Sequence, residues 1–252
     1  MTEFGIFNGV KTAWRHSGSG RDVILLHGWG QNMQMMQKIE EHLQPFFCVY
    51  NLDFPGFGQS DDPSVPWGIE DYQKFLEDFI EKNSIQEPVI IAHSFGCRIA
   101  ILHASEHKVR KMCLTGAAGI REKQSFARKM KTNTFKAGRW ILEKTGQGEL
   151  IEKLKSQHGS EDYRNVSGVM RDTFVKVVNS DVSPVLNKVT CPVLLVFGEY
   201  DQAVPLWMGK KMEQEMKDAA LVVFENDDHW AYWHQYERFN RVLDAFLKGD
   251  KQ

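Results

Sequence analysis

Short apolar runs separated by longer stretches with helical spacing set the pattern of this chain. The runs fall at residues 23–26, 47–52, 88–92, 109–115, 192–197 and 220–224. Continuous runs of this length predict strands buried on both faces, as in a parallel sheet. Between them, helices are predicted at about 33–43, 69–82, 95–103, 206–215 and 235–247. In the last of these Phe239, Val242, Leu243 and Phe246 keep a 3-1-3 spacing on one face. Before the first run, residues 4–7 and 10–15 flank Asn8-Gly9, a strong signal for a two-residue hairpin. The predicted fold class is therefore α/β: a mostly parallel central sheet, opened by an antiparallel hairpin and flanked by crossover helices.

The alternation fails between residues 121 and 187, where no strand is predicted and the text is polar and helical, as in Phe126-x3-Met130 and residues 148–155. This predicts a core formed by residues 1–120 and 188–252, with a helical cap inserted at 121–187. The first part of the insertion carries Arg121, Lys123, Arg128, Lys129, Lys131, Lys136, Arg139 and Lys144 against Glu122 and Glu143. Two readings stand: solvated helix faces, or a surface that attracts an anionic substrate or an acidic carrier.

Bulk properties narrow the function. A net charge of −2 at pH 7 argues against nucleic-acid binding. No apolar run is long enough to span a bilayer, so no membrane partner is expected. The first residues lack a basic segment followed by an apolar one, and Cys48, Cys97, Cys113 and Cys191 are scattered. A cytoplasmic location is the expectation. No histidine spacing is read as a metal site and no glycine-rich phosphate loop is found, so no cofactor is expected.

Five loops stand out, each directly after a predicted strand, and four of them carry candidate chemistry. Ala92-His93-Ser94-Phe95-Gly96 lies between a strand and a helix, the context of a nucleophile elbow, with small residues two before and two after the serine. Tight geometry there demands small neighbours and aims backbone N–H groups at a developing oxyanion. His27-Gly28-Trp29-Gly30 is a glycine-rich turn able to present a second N–H, so the donors expected are those of Trp29 and Phe95. Asp53 to Ser60 is rich in turn formers, and Asp53 reads as a carboxylate that organises its loop. Asp201 lies in the turn after residues 192–197, where open α/β sheets hold their sites. His229 lies in the loop after 220–224. The order Ser94, Asp201, His229 is serine, acid, histidine.

Taken together these motifs resemble the α/β-hydrolase superfamily over essentially the whole chain, the insertion matching its variable cap. The text His27-Gly28-Trp29-Gly30 is similar to that of pimeloyl-[acyl-carrier protein] methyl ester esterases, a resemblance that supports Trp29 in the oxyanion hole. Two positions depart from the pattern: Cys97 replaces a second glycine, and Asp228 stands where glycine often precedes the histidine, close enough in sequence to act on His229. The expectation is a serine esterase working on a small-molecule acyl substrate with no metal. Thioesterase or carbon–carbon bond hydrolase activity, or a non-catalytic ligand-binding role, are the alternatives. His27, Phe126, Met130, Trp140 and Trp230 are candidate substrate contacts, with Ile141 beside them.

Overall fold

The computed structural model describes residues 1–121 and 161–251. The chain opens with β1 (Thr2–Phe7) and β2 (Val10–Gly18), paired antiparallel about Asn8 and Gly9, both at positive φ as a two-residue hairpin turn of this hand requires. Six further strands follow: β3 (Arg21–Leu26), β4 (Phe47–Leu52), β5 (Val89–His93), β6 (Lys111–Thr115), β7 (Val193–Gly198) and β8 (Ala219–Phe224). The sheet order is β1-β2-β4-β3-β5-β6-β7-β8, and every pairing from β4 to β8 is parallel.

Both faces of this sheet are covered, which is why its strands read as unbroken apolar runs. Along β3, Ile24 and Leu26 face one core while Val23 and Leu25 face the other. The first core is closed by α2 (Ile69–Lys82) and α3 (Phe95–Ala104), with α6 (Leu206–Glu215) adding Met212. Tyr72, Phe75, Leu76 and Phe79 of α2 form a fully buried i, i+3, i+4, i+7 stripe. The second core is closed by α1 (Gln37–Leu43) and α8 (Tyr236–Phe246), through Ile39, Leu43, Phe239 and Leu243.

Two helices differ from expectation. The helix predicted from residue 33 begins as a 3-10 turn over Met33–Met36, because the Asp53 carboxylate takes the Met33 N–H (2.6 Å) and the Asn51 amide donates to the Met33 carbonyl (2.9 Å). The C-terminal helix is preceded by a separate turn, α7 (Ala231–His234), broken from α8 at Gln235.

The described part of the insertion is helical, with α4 (Glu161–Arg164), α5 (Gly168–Val178) and a 3-10 turn over Ser183–Lys188. Its two ends are joined: Val182 N–H donates to the Gly119 carbonyl at 2.9 Å, and Arg98 of α3 donates to the Ser180 carbonyl at 3.0 Å. The predicted helical text at 126–130 and 148–155 lies outside the described residues, as does the basic stretch beyond Arg121. Among the described residues no helix is long and apolar enough to cross a membrane.

The end of the chain is pinned by charge. Asp250 is 1% exposed, accepts from Arg110 and lies 2.7 Å from Lys111 Nζ. Burial alone would raise its pKa, but Lys111 and Arg110 outweigh burial and hold it below the usual carboxylate range. A carboxyl with a depressed folded pKa stabilises above its unfolded value, and that contribution is lost as pH falls through the folded value. Asp250→Asn is therefore expected to destabilise the protein at neutral pH by about 1–3 kcal/mol. In urea titrations the gap from wild type should close as pH drops below the carboxylate range.

Candidate active site

Strand β5 runs straight into α3 through Ser94, which adopts φ 48 and ψ −104. This backbone conformation is costly for a non-glycine residue and persists only where its surroundings enforce it. They do so from both sides. Ser94 N–H donates to the Thr115 carbonyl at the end of β6 (3.0 Å), and Gly96 lies so close to β3 that an added Cβ would stand 2.7 Å from the Leu26 carbonyl oxygen. Ala92 is fully buried within the sheet. Cys97 is buried too, its Sγ 3.6 Å from the Thr115 carbonyl, and burial pushes its thiol pKa well up. That cysteine packs in place of the second glycine and carries no thiolate.

As the first residue of α3, Phe95 has an N–H without an intrahelical acceptor. The turn after β3 supplies the other expected donor. Gly28 N–H is held by the Gln31 side chain at 3.0 Å, and Gln31 N–H returns to the Gly28 carbonyl. Neither Trp29 N–H nor Phe95 N–H donates in any turn or loop hydrogen bond of the described residues. The rings of these two residues meet edge-on at 5.4 Å.

Asp201 and His229 form the tightest pair in the region. His229 Nδ1–H donates to Asp201 Oδ2 at 2.7 Å, and Asp201 Oδ1 accepts the Val204 N–H at 2.7 Å. The acid's side chain is fully shielded from solvent, whereas that of His229 keeps 14% exposure. The pair lies over the end of β6: a Cβ on Gly116, at φ 50, would come within 2.9 Å of the His229 ring and 3.4 Å of Asp201 Oδ2. Gly198 allows the loop holding His229 to close on the loop holding Asp201, since a Cβ there would stand 2.0 Å from the Asp228 carbonyl oxygen. Ser94, Asp201 and His229 thus share one end of the sheet. No hydrogen bond joins Ser94 Oγ to His229 among the described residues.

His93 lies beneath this pair. Its ring is fully buried, 4.7 Å from that of His229 and 4.7 Å from that of Tyr232, with Nδ1 2.9 Å from Thr115 Oγ1. Burial first, and the neighbouring His229 second, lower its pKa well below the usual range, so it stays neutral. Gly116, Gly198 and His93 were not singled out as functional from sequence. A glycine directly after each strand was a visible signal for the first two, and a histidine adjoining the elbow serine for the third.

The candidate substrate contacts divide. His27 is not one: it is fully buried, Nδ1 bonds the Gly28 carbonyl at 2.7 Å, and Nε2 accepts the Phe54 N–H at 3.0 Å. Burial lowers its pKa to about 4, so a neutral ring ties two loops and offers no nitrogen to a ligand. Trp230 packs against His93 (5.1 Å) and His229 (5.7 Å) and is half-buried. Phe126, Met130, Trp140 and Ile141 lie outside the described residues. Trp29 meets Phe57 at 4.8 Å and Phe174 of α5 at 5.1 Å. Asp53 organises its loop, accepting from Met33 and Gln59. Asp228 is exposed and accepts the Trp230 N–H, lying 3.6 Å from His234.

Residues 23–242 match the model of the alpha/beta hydrolase family. The chain is 26% identical to a pimeloyl-[acyl-carrier protein] methyl ester esterase of Neisseria meningitidis, over 91% of this chain and 94% of that protein. It is 25% identical to a 2-hydroxy-6-oxononadienedioate/2-hydroxy-6-oxononatrienedioate hydrolase of Dechloromonas aromatica, over 91% and 88%. Among solved structures, an esterase of Exiguobacterium antarcticum superposes with a TM-score of 0.78 at 21% identity, covering 98% of this chain and all of that one.

The room left by Gly116 can be tested directly. Gly116→Ala strains a positive φ and pushes on the His229 ring, so kcat/KM on a turned-over substrate should fall about 100-fold and stability by about 1 kcal/mol. Gly249→Ala, where an added Cβ meets nothing, is the control and should change neither.

Proposed function

The chain belongs to the alpha/beta hydrolase family, and from that premise we propose that it is a serine hydrolase cleaving a carboxylic ester through an acyl-enzyme on Ser94. The observation that carries the reading is the shielded Asp201–His229 pair, set over the end of the strand next to the strained serine. Its Nδ1–H held by Asp201, the imidazole presents Nε2 as the free base. His229 takes the Ser94 proton as Oγ attacks the acyl carbon, and the Trp29 and Phe95 N–H groups receive the negative charge on the carbonyl oxygen. His229 then protonates the departing alcohol. Water attacks the acyl-enzyme with the same imidazole as base, releasing the acid and restoring Ser94. Asp201 stays ionised throughout, fixing the tautomer and stabilising the imidazolium.

We read residues 121–187 as a cap over this site. The crosslinks between its two ends support that division, as does Phe174 against Trp29. The substrate proposed is an ester of a small or medium acyl group. Cleavage of a thioester or of a carbon–carbon bond is the second reading. The Dechloromonas relative favours the carbon–carbon case, since its name describes a hydrolase of an oxo-dienedioate.

Labelling with a fluorophosphonate tests the nucleophile. Wild type should label at Ser94, and Ser94→Ala should lose both labelling and turnover while melting as wild type does. Retained ester hydrolysis in that variant would refute the mechanism. Asp201→Asn should keep the fold and lower kcat by about 10⁴-fold, because the imidazole is then held in the wrong tautomer. A chain-length series of p-nitrophenyl esters, run beside acyl thioesters, discriminates the bond: the ester reading expects higher kcat/KM on the esters at matched chain length.

A further inference from the structure

At the other end of the nucleophile's helix the chain brings together a second group of chemically capable side chains. His103 lies in the last turn of α3. The backbone continues helically past it, with His107 N–H donating to the His103 carbonyl at 2.9 Å, so the two histidines stand one turn apart on one face. Their rings stack at 4.6 Å with an interplanar angle of 13°. From α2, Glu77 reaches the same point, its Oε1 2.9 Å from His107 Nε2. A ring nitrogen of each histidine and a Glu77 oxygen all lie within 4.8 Å of one another.

One member of the cluster is buried. His103 is only 3% exposed, yet its Nδ1 is buried with no hydrogen-bond partner. A buried polar atom in that state carries a desolvation cost that nothing in the fold offsets. The cluster also borders a groove of about 500 Å³ lined by Glu77, Glu81 and Glu87 against Lys108. Such a balance favours a cation, and the groove leaves room for water to complete a coordination shell.

We propose that Glu77, His103 and His107 form a site for one divalent transition-metal ion of the zinc type. Two imidazoles and one carboxylate select Zn²⁺, Co²⁺, Ni²⁺ or Cu²⁺ over Mg²⁺ and Ca²⁺, which prefer all-oxygen shells. Tetrahedral zinc at ordinary bond lengths needs ligand atoms about 3.4 Å apart. Reaching that spacing requires the exposed His107 to turn out of its stack on His103 and the half-buried Glu77 to follow, because the in-plane lone pairs of parallel rings do not converge. Water takes the fourth position. An ion there ties α2 to α3, the helix whose first turn presents the Phe95 N–H, so the site acts on stability and lies apart from the triad.

Titration of the tag-free full chain with ZnCl2 by calorimetry, and with CoCl2 by visible absorption, tests the proposal. Wild type should show one saturable site of micromolar or tighter affinity, with a melting temperature that rises on adding Zn²⁺. His107→Ala and Glu77→Gln, both at side chains with solvent exposure, should fold normally without metal and weaken binding about 10-fold or more. His234→Ala, in the separate Asp227–Asp228–His234 group, should bind as wild type does. Absence of saturable binding below about 1 mM overturns the proposal. So does an unchanged affinity in His107→Ala and Glu77→Gln.

Discussion

The close approach of α3 to the end of β3 is the constraint on which the site depends. At Gly96 the helix comes so near the Leu26 and His27 carbonyl oxygens that no Cβ fits. A helix starting that close to the sheet cannot be reached from β5 by an ordinary turn, so Ser94 takes a conformation that non-glycine residues avoid. Two consequences follow from the same contact. Ser94 is left half-buried at the sheet's end, and Phe95 begins α3 beside the loop that carries Trp29, its ring against that of the tryptophan. The β5–α3 junction thus holds the candidate nucleophile and, on the proposed mechanism, one expected oxyanion donor in place before any substrate arrives.

Much of this was legible in the sequence because the physics behind it is local. Period-2 burial on two covered faces produces unbroken apolar runs, and all six predicted runs are strands within two residues of the expected ends. Helices α2 and α6 occur at the predicted bounds, since their buried stripes repeat at helical spacing. Positions after strands also survive translation into three dimensions, which is why Ser94, Asp201 and His229 gather at one end of a parallel sheet. What the sequence hid depends on partners distant along the chain. His27 reads as a residue at the mouth of the site, but its ring is consumed by Gly28 and Phe54. Gly116 matters only because the His229 ring comes to rest against it from more than a hundred residues away.

Charge in the region is arranged by burial. Asp201 is sealed and takes two hydrogen bonds, one from backbone and one from imidazole, so its ionised form is compensated without solvent. His93, packed against the other side of His229, meets the same low-dielectric surroundings with no carboxylate partner and stays neutral. A charged ring at that position would oppose any imidazolium formed on His229. A neutral one fills space, holds Tyr232 and Trp230 beside it, and leaves the field of Asp201 unopposed.

A shared triad on one fold leaves the choice of bond to what surrounds it. In this chain the surroundings are mechanically joined to the turn that carries Trp29. Helix α5 is tied to the loop before α2 by Thr173, which accepts the Trp67 N–H at 3.0 Å, and by Lys176, which donates to the Pro66 carbonyl at 2.6 Å. Its Met170 fills the space over Gly56, where an added Cβ would stand 2.3 Å from the sulfur. Its Phe174 rests on Trp29, whose own N–H is the other expected oxyanion donor. The residue against which α5 packs and the residue expected to donate to the oxyanion are therefore the same tryptophan. On the proposed mechanism, a change in α5 that moves Phe174 would also move the turn that carries Trp29, which would couple selectivity to turnover.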